Sequence, residues 1–272
     1  LFLFFNMVSR IEKYLIVDLD GTLISGDSLQ ETIIEFLKKN IFNALKIPFM
    51  LFKGKANFKT KLANEILIEP QNFDFSKEVI SLIEEKKNQG YKIILCSGSH
   101  QKQLSLVAEK LNYFDYVFGT SEDINLKGIR KIKFIKKYID LDTFSYVGNS
   151  TDDIEIWNES EEAFFINKNI FFKVQNKKIR TRLTNLLSTK TLKEKITSLV
   201  KLLRIYQWVK NLLIFVPMFL AANLDYLSFK NAFIAFLSFS FIASSIYIFN
   251  DIIDIHKDRF HPRKKKRPIT CG

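Results

Sequence analysis

Cysteine is scarce: the 272 residues contain only Cys96 and Cys271. That excludes a disulfide framework and fits a reducing, cytoplasmic setting for any soluble part. Internal repeats and low-complexity tracts are also missing. The opening apolar stretch, Leu1 to Phe5, is too short for a signal peptide and has no basic n-region. The first Met is residue 7, so the natural start is expected there. Acid is in deficit, with 29 Asp and Glu against 41 Lys and Arg and a net charge of +12. So basic a chain suggests nucleic acid, but the distribution points elsewhere. The densest basic run, Arg263 to Arg267, directly follows a long apolar segment, as in a cytoplasmic loop beside a membrane. No nucleic-acid partner is expected. What is abundant is apolar: 47% hydrophobic residues, including 27 Phe, beside 26% charged residues. That mixture implies a soluble domain joined to membrane helices.

Along the chain, Tyr14–Val17 reads as a buried strand ending at an Asp-Gly turn signal. Ser76 caps an expected helix through Lys87 that Gly90 stops. Tyr91–Cys96, Tyr116–Phe118, Phe144–Val147 and Ala163–Ile166 read as strands, with helices expected at about 101–111, 128–138 and from 151. Strands alternating with helices predict an α/β fold with a parallel sheet. The all-helical stretch at about 24–88 interrupts the alternation and reads as an inserted cap. The basic, amphipathic stretch 169–203 reads as a linker near a membrane surface. Two apolar segments follow, Ile205–Leu224 and Phe229–Phe249, each long enough to cross a bilayer. Asp225–Ser228 joins them in a hairpin, and basic residues at both ends place those ends in the cytoplasm.

The residues Asp18–Leu23, DLDGTL, follow the first strand. A strand there delivers two carboxylates to the carboxyl edge of a parallel sheet, where ligands bind. Asp18 is placed to attack phosphorus and Asp20 to protonate the leaving oxygen and then activate water. DxDGT after an apolar strand resembles the first motif of the haloacid dehalogenase superfamily. Ser97-Gly98-Ser99 matches its second motif, Lys127-Gly128 its third and Val147 to Asp153 its fourth. The spacing resembles the phosphoserine-phosphatase-like branch, over about residues 13–168. The resemblance implies that Thr22, Ser97, Gly98 and Lys127 hold the phosphoryl group. It also implies that Asp18, Asp20, Asn149 and Asp153 hold Mg²⁺. Asn149 stands where the family pattern has an acid, so weaker metal binding is expected. Lys131 reads as a surface residue, His100 as an exposed helix-start histidine and Cys96 as a buried small hydrophobe.

Near the C-terminus, Asp251, Asp254 and Asp258 fall at i, i+3 and i+7, so one helix face presents three carboxylates. Such a face suits Mg²⁺ ions bridging to a diphosphate. Taken alone, the basic run that follows better suits a loop that only fixes topology. With Asn250, Asp251, Asp254 and Asp258 ahead of Arg263, Lys266 and Arg267, the segment resembles the first aspartate motif of the UbiA family of intramembrane prenyltransferases. The opening Arg204-Ile-Tyr-Gln207-Trp208-Val-Lys210-Asn211 resembles the polyprenyl-phosphate phosphoribosyltransferase-like branch.

The domains expected are therefore a phosphatase at 7–168, a linker at 169–203 and the start of a UbiA-like membrane domain at 204–272. The chain reads as the N-terminal part of a longer fusion in the cell (inner) membrane, multi-pass, with the phosphatase cytoplasmic. The resemblances imply Mg²⁺ as cofactor, with a phosphorylated substrate such as a polyprenyl-linked phosphoribose, and membrane lipid, as partners. The alternative is a degenerate phosphatase-like domain that regulates or stabilises the transferase.

Overall fold

The computed structural model describes residues 12–166 (apart from Lys53, Asp123 and Asp142), 183–186 and 192–270 (apart from Asn223). The expected start at Met7 and much of the linker lie outside those residues. The chain forms two compact units, Leu1–Ser188 and Thr189–Gly272.

The first unit is built on a six-stranded parallel sheet in the order β3-β2-β1-β4-β5-β6. Its strands are β1 (Lys13–Val17), β2 (Lys92–His100), β3 (Tyr116–Thr120), β4 (Thr143–Gly148), β5 (Glu162–Phe165) and β6 (Leu183–Asn185). β1 is central, pairing with β2 on one side and β4 on the other. Side chains alternate across a strand, so β1 feeds two cores. Tyr14 and Ile16 pack with Cys96, Ile135, Tyr146 and Trp157 on one face. Leu15 and Val17 pack with Val79, Ile83, Leu104 and Val107 on the other. Burial on both faces explains why this strand is an unbroken apolar run.

The helices of this unit are α1 (Ser28–Lys39), α2 (Lys46–Leu51), α3 (Lys55–Glu65), α4 (Lys77–Asn88), α5 (Gln101–Leu111), α6 (Arg130–Ile135) and α7 (Ile154–Glu159). Ser76 caps α4 through Val79 N–H, and Gly90 follows with φ +85°, as its sequence suggested. The expected insert at 24–88 divides in two. α1 and α3 share a small separate core of Phe36, Phe58 and Leu62. α4 instead buries Val79 and Ile83 in the sheet core, so it belongs to the body of the fold. A second difference lies past residue 168. Leu183–Asn185 pairs in parallel with β5 and adds a sixth strand where a linker was expected.

The second unit contains α8 (Leu192–Leu202), a 3₁₀ stretch (Ile205–Phe215), α9 (Val216–Leu220), α10 (Tyr226–Ile253) and α11 (Ile255–Phe260). Among the described residues α10 alone is long and apolar enough to cross a membrane: it has 28 residues, and an 18-residue window within it has a mean hydropathy of 2.0. The expected first span, Ile205–Leu224, is not one helix: eleven residues are 3₁₀ and five more form α9, with Pro217 in the first turn. The 3₁₀ stretch runs antiparallel to α10 and is tied to it by rungs. Trp208 Nε1 donates to Ser244 Oγ (3.1 Å) and Asn211 Nδ2 to Ser240 Oγ (2.9 Å). Phe215 packs on Phe236, with ring centroids 5.7 Å apart.

Candidate active site

The site of the α/β unit gathers at the carboxyl ends of β1, β2 and β4. The backbone N–H of Asp18 donates to Val147 O (3.1 Å), so the β1–β4 pairing continues to the first carboxylate. The chain then turns through Gly21, whose φ of +64° lies in the left-handed region that favours glycine. A Cβ at Gly21 would fall 2.0 Å from Asn149 Nδ2, so the Asn149 amide sits directly over the DGT turn. Leu19 and Leu23 are fully buried and anchor that turn on both sides.

Asp18 is buried, and its partner is a lysine that the sequence placed on the surface. Lys131, on α6, is 4% exposed. Its Nζ lies 2.8 Å from Asp18 Oδ1 and 3.8 Å from Asp153 Oδ1. It also donates to Tyr146 Oη (2.9 Å), which donates in turn to Asp153 Oδ1 (2.8 Å). One cation thus serves two buried carboxylates. Burial raises the Asp18 carboxyl to about 6, with the Lys131 ammonium pulling against it. Burial also works against the Lys131 ammonium, but Asp18 and Asp153 together outweigh it and raise its pKa.

Lys127, expected to neutralise the phosphoryl group, is instead exposed and pairs with Asp152 Oδ2 at 2.9 Å. The buried face of α6 explains the exchange. Lys131 shares a stripe with Ile132, Ile135 and Ile139, all buried. A lysine within an apolar stripe was the available signal. Tyr146 was missed too, because a tyrosine in a strand reads as core.

Asp153, expected to hold the metal, is engaged by protein groups on both of its oxygens. Its Oδ2 accepts from the backbone N–H groups of Asn149 (3.2 Å) and Ser150 (2.9 Å), while Oδ1 takes Tyr146 and faces Lys131. It closes a capping box with Ser150 that shapes the turn after β4.

Asp20 is held by three groups. Its Oδ1 accepts from Ser28 N–H at the start of α1 (2.7 Å). Its Oδ2 accepts from Ser99 Oγ and lies 3.4 Å from Ser97 Oγ. Ser99 Oγ and Ser28 Oγ are 2.7 Å apart. β2 carries an irregularity in its pairing between Cys96 and His100, which turns Ser97, Gly98 and Ser99 into the site. A Cβ at Gly98 would crowd Leu126 O at 3.2 Å. Thr22 Oγ1 is buried with no hydrogen-bond partner among the described residues. From α3, Lys59 Nζ donates to Gly98 O, so this cap lysine reaches the site. Burial lowers its pKa, against the pull of Asp20 and Asp27. Beside it, His100 caps α5 and accepts from Lys102 N–H (3.3 Å). Cys96 is a buried core residue whose thiol burial pushes up to about 12.

The donor set suits a hard cation, which takes oxygen ligands. Asp18, Asp20 and the Asn149 amide lie on the turns that follow β1 and β4. Among the described residues no group of three or more His, Cys, Asp or Glu is disposed to hold a metal.

In the second unit the expected aspartate motif is bound up in ion pairs. Arg204 Nη2 contacts Asp251 Oδ1 and Oδ2 at 2.7 and 2.9 Å. Arg267 Nη1 bridges Asp251 (2.8 Å) and Asp258 (2.7 Å), and Lys264 pairs with Asp258 at 3.1 Å. Asp254 falls at the break between α10 and α11. Asn250 accepts from Asp254 N–H through its backbone carbonyl (2.9 Å). Arg263 and Lys266, expected with Arg267 to take the charge of a diphosphate, form no ion pair among the described residues, whereas Arg204 and Lys264 pair with Asp251 and Asp258.

The first unit therefore resembles a haloacid-dehalogenase-type phosphatase, and the second resembles the opening of a UbiA-type transferase. An uncharacterized protein of Sinorhizobium fredii, y4nM, is 32% identical over 260 residues, covering 95% of this chain and 50% of that protein. Decaprenyl-phosphate phosphoribosyltransferase of Corynebacterium glutamicum is 44% identical over 78 residues, covering 27% of this chain and 23% of that protein. The chain thus spans half the length of the first relative and about a quarter of the second. A solved protein of unknown function from Bordetella pertussis has the α/β fold, with a TM-score of 0.50 at 10% identity, over 65% of this chain and 99% of that one. No family model matches the chain.

Proposed function

We propose that the α/β unit hydrolyses a phosphomonoester through an aspartyl-phosphate intermediate. The observation that carries this is the buried Asp18–Lys131–Asp153 cluster beside an Asp20 oriented by Ser28 and Ser99. Asp18 attacks phosphorus, the ester P–O bond breaks, and Asp20 gives a proton to the leaving oxygen. Asp20 then takes a proton from the water that opens the aspartyl phosphate, restoring Asp18. Lys131 neutralises charge at the nucleophile, and Ser97 and the turn amides face the phosphoryl oxygens. Mg²⁺, held by Asp18, Asp20 and Asn149, supplies further charge neutralisation when bound. In the same proposal the second unit opens a UbiA-like transferase acting on polyprenyl phosphates in a membrane. The phosphatase then acts on its phosphoribosylated lipid product, which tethering keeps at high effective concentration.

Mg²⁺-dependent release of phosphate from a generic phosphomonoester by the full chain tests the chemistry. Asp18→Asn is expected to abolish it, a loss on the order of 10⁴-fold or more. Hydrolysis that survives in the variant sinks the aspartyl mechanism.

Asn149 favours a second reading, a domain that binds and regulates without turning over. Asn149→Asp separates the two. A lowered Mg²⁺ requirement, by about tenfold, supports a weakened enzyme. No activity in either protein supports the regulatory reading.

A further inference from the structure

The cap carries an apolar face that the phosphatase chemistry does not use. The segment from Ile41 to Phe52 is apolar nearly all round. Ile47 and Met50 turn inward onto the cap core of Phe36, Phe58 and Leu62. Ile41, Phe42, Leu45, Phe49 and Phe52 turn outward and are between 68% and 92% exposed. Their spacing of three and four residues sets them along one side of the segment. The turn is firmly built: Asn40 Oδ1 accepts from Phe42 N–H (3.0 Å), and Asn43, itself buried, donates to Phe36 O (2.8 Å). Clustered large side chains this exposed mark an interaction surface.

The charge around the face says what covers it. From Asn40 to Asn64 there is no Asp or Glu, and there are five Lys. Lys46 and Lys55 flank the apolar face and are exposed. The stretch also lacks Arg, Trp and Tyr, the side chains that anchor protein interfaces. Phe, Ile and Leu with lysines at the margin is the composition of a helix lying in a bilayer interface. The chain itself provides a helix able to cross a bilayer, α10. We infer that the cap docks on an anionic lipid surface through Ile41, Phe42, Leu45, Phe49 and Phe52, steered by Lys46 and Lys55. Docking there brings the helices that cover the active site to the level of lipid headgroups. The inference does not require the phosphatase activity.

The test uses the full chain reconstituted in vesicles of phosphatidylcholine and phosphatidylglycerol at about 3:1, an anionic surface of the kind basic faces bind. A fluorophore is attached at Phe52→Cys in a Cys271→Ser background, Cys96 being buried. A matching label at Glu109→Cys, exposed on α5, serves as control. Nitroxide on the lipid headgroups is expected to quench the label at 52 about threefold more than the control. The charge-reversed pair Lys46→Glu and Lys55→Glu is expected to lower that quenching by about half or more. Lipid quenching at 52 no greater than at 109 would overturn the proposal. So would label-to-label quenching that rises with protein density while lipid quenching stays at the control level, since the face would then join copies of the chain. Equal quenching in phosphatidylcholine alone would overturn the anionic preference.

Discussion

Two clusters in this chain set aspartates against basic side chains, and they solve the charge problem differently. In the α/β unit a single ammonium, Lys131, stands between Asp18 and Asp153, all three buried. In the second unit the charges alternate: Arg204, Asp251, Arg267, Asp258, Lys264. There each carboxylate has two cationic neighbours; in the first, two carboxylates divide one. A shared cation leaves the carboxylate it faces under-compensated, and Asp18 is accordingly raised toward about 6 by burial. An alternating row leaves no such deficit. The first arrangement suits a nucleophile that must react, and the second suits carboxylates held in place.

Removing the cations one at a time puts that contrast to the test. The chain has two tryptophans, Trp157 in the sheet core and Trp208 on the 3₁₀ stretch, so each unit reports its own unfolding. The largest effect is expected for Lys131→Met. It strands two buried carboxylates and should cost about 3–5 kcal/mol in denaturant unfolding followed at Trp157. The variant also bears on pH. In the proposed mechanism hydrolysis needs Asp18 ionised, so the rate should fall as pH drops through about 6. Lys131 holds that carboxyl down, so its loss should move the acid limb to higher pH. Linkage has the matching sign. A raised Asp18 contributes stability below its ordinary 3.8, and this is lost as pH rises through about 6. An acid limb that stays put in Lys131→Met would break the assignment of Lys131 to Asp18.

Arg267→Ala should do less, because Asp251 keeps Arg204 and Asp258 keeps Lys264. A loss of about 1–3 kcal/mol at Trp208 is expected; a cost equal to that of Lys131→Met would erase the contrast. Smallest is Lys127→Ala, which removes an exposed pair with Asp152. It should change stability by less than about 1 kcal/mol and leave the rate unchanged. A collapse of activity would restore Lys127 to the place the sequence suggested.

That exchange of lysines shows where sequence reading reached its limit. The parallel sheet, the DLDGTL turn and the serines near the end of β2 were legible, because apolar runs and turn residues dictate them locally. The choice between Lys127 and Lys131 was not, since one lies just before α6 and the other at its start, and only packing decides which faces inward. Asp153 read as a ligand because its spacing from Asn149 fits. Its engagement by Tyr146 and two backbone amides depends on the three-dimensional path of the turn. β6 was hidden for another reason: three residues in a basic stretch carry too little periodicity to mark a strand.

The 3₁₀ stretch beside α10 has a mechanical consequence. A 3₁₀ helix climbs about 2.0 Å per residue and an α-helix about 1.5 Å, so three residues of one advance as far as four of the other, about 6 Å. The two hydrogen-bonded rungs follow that gearing: three residues separate Trp208 from Asn211, and four separate their partners Ser244 and Ser240; the ring contact of Phe215 with Phe236 then lies four residues further along both elements. Between those two rungs, elements of unlike pitch stay in step like meshed gears of different tooth spacing. A single residue inserted between Trp208 and Asn211 would throw every rung beyond it out of mesh.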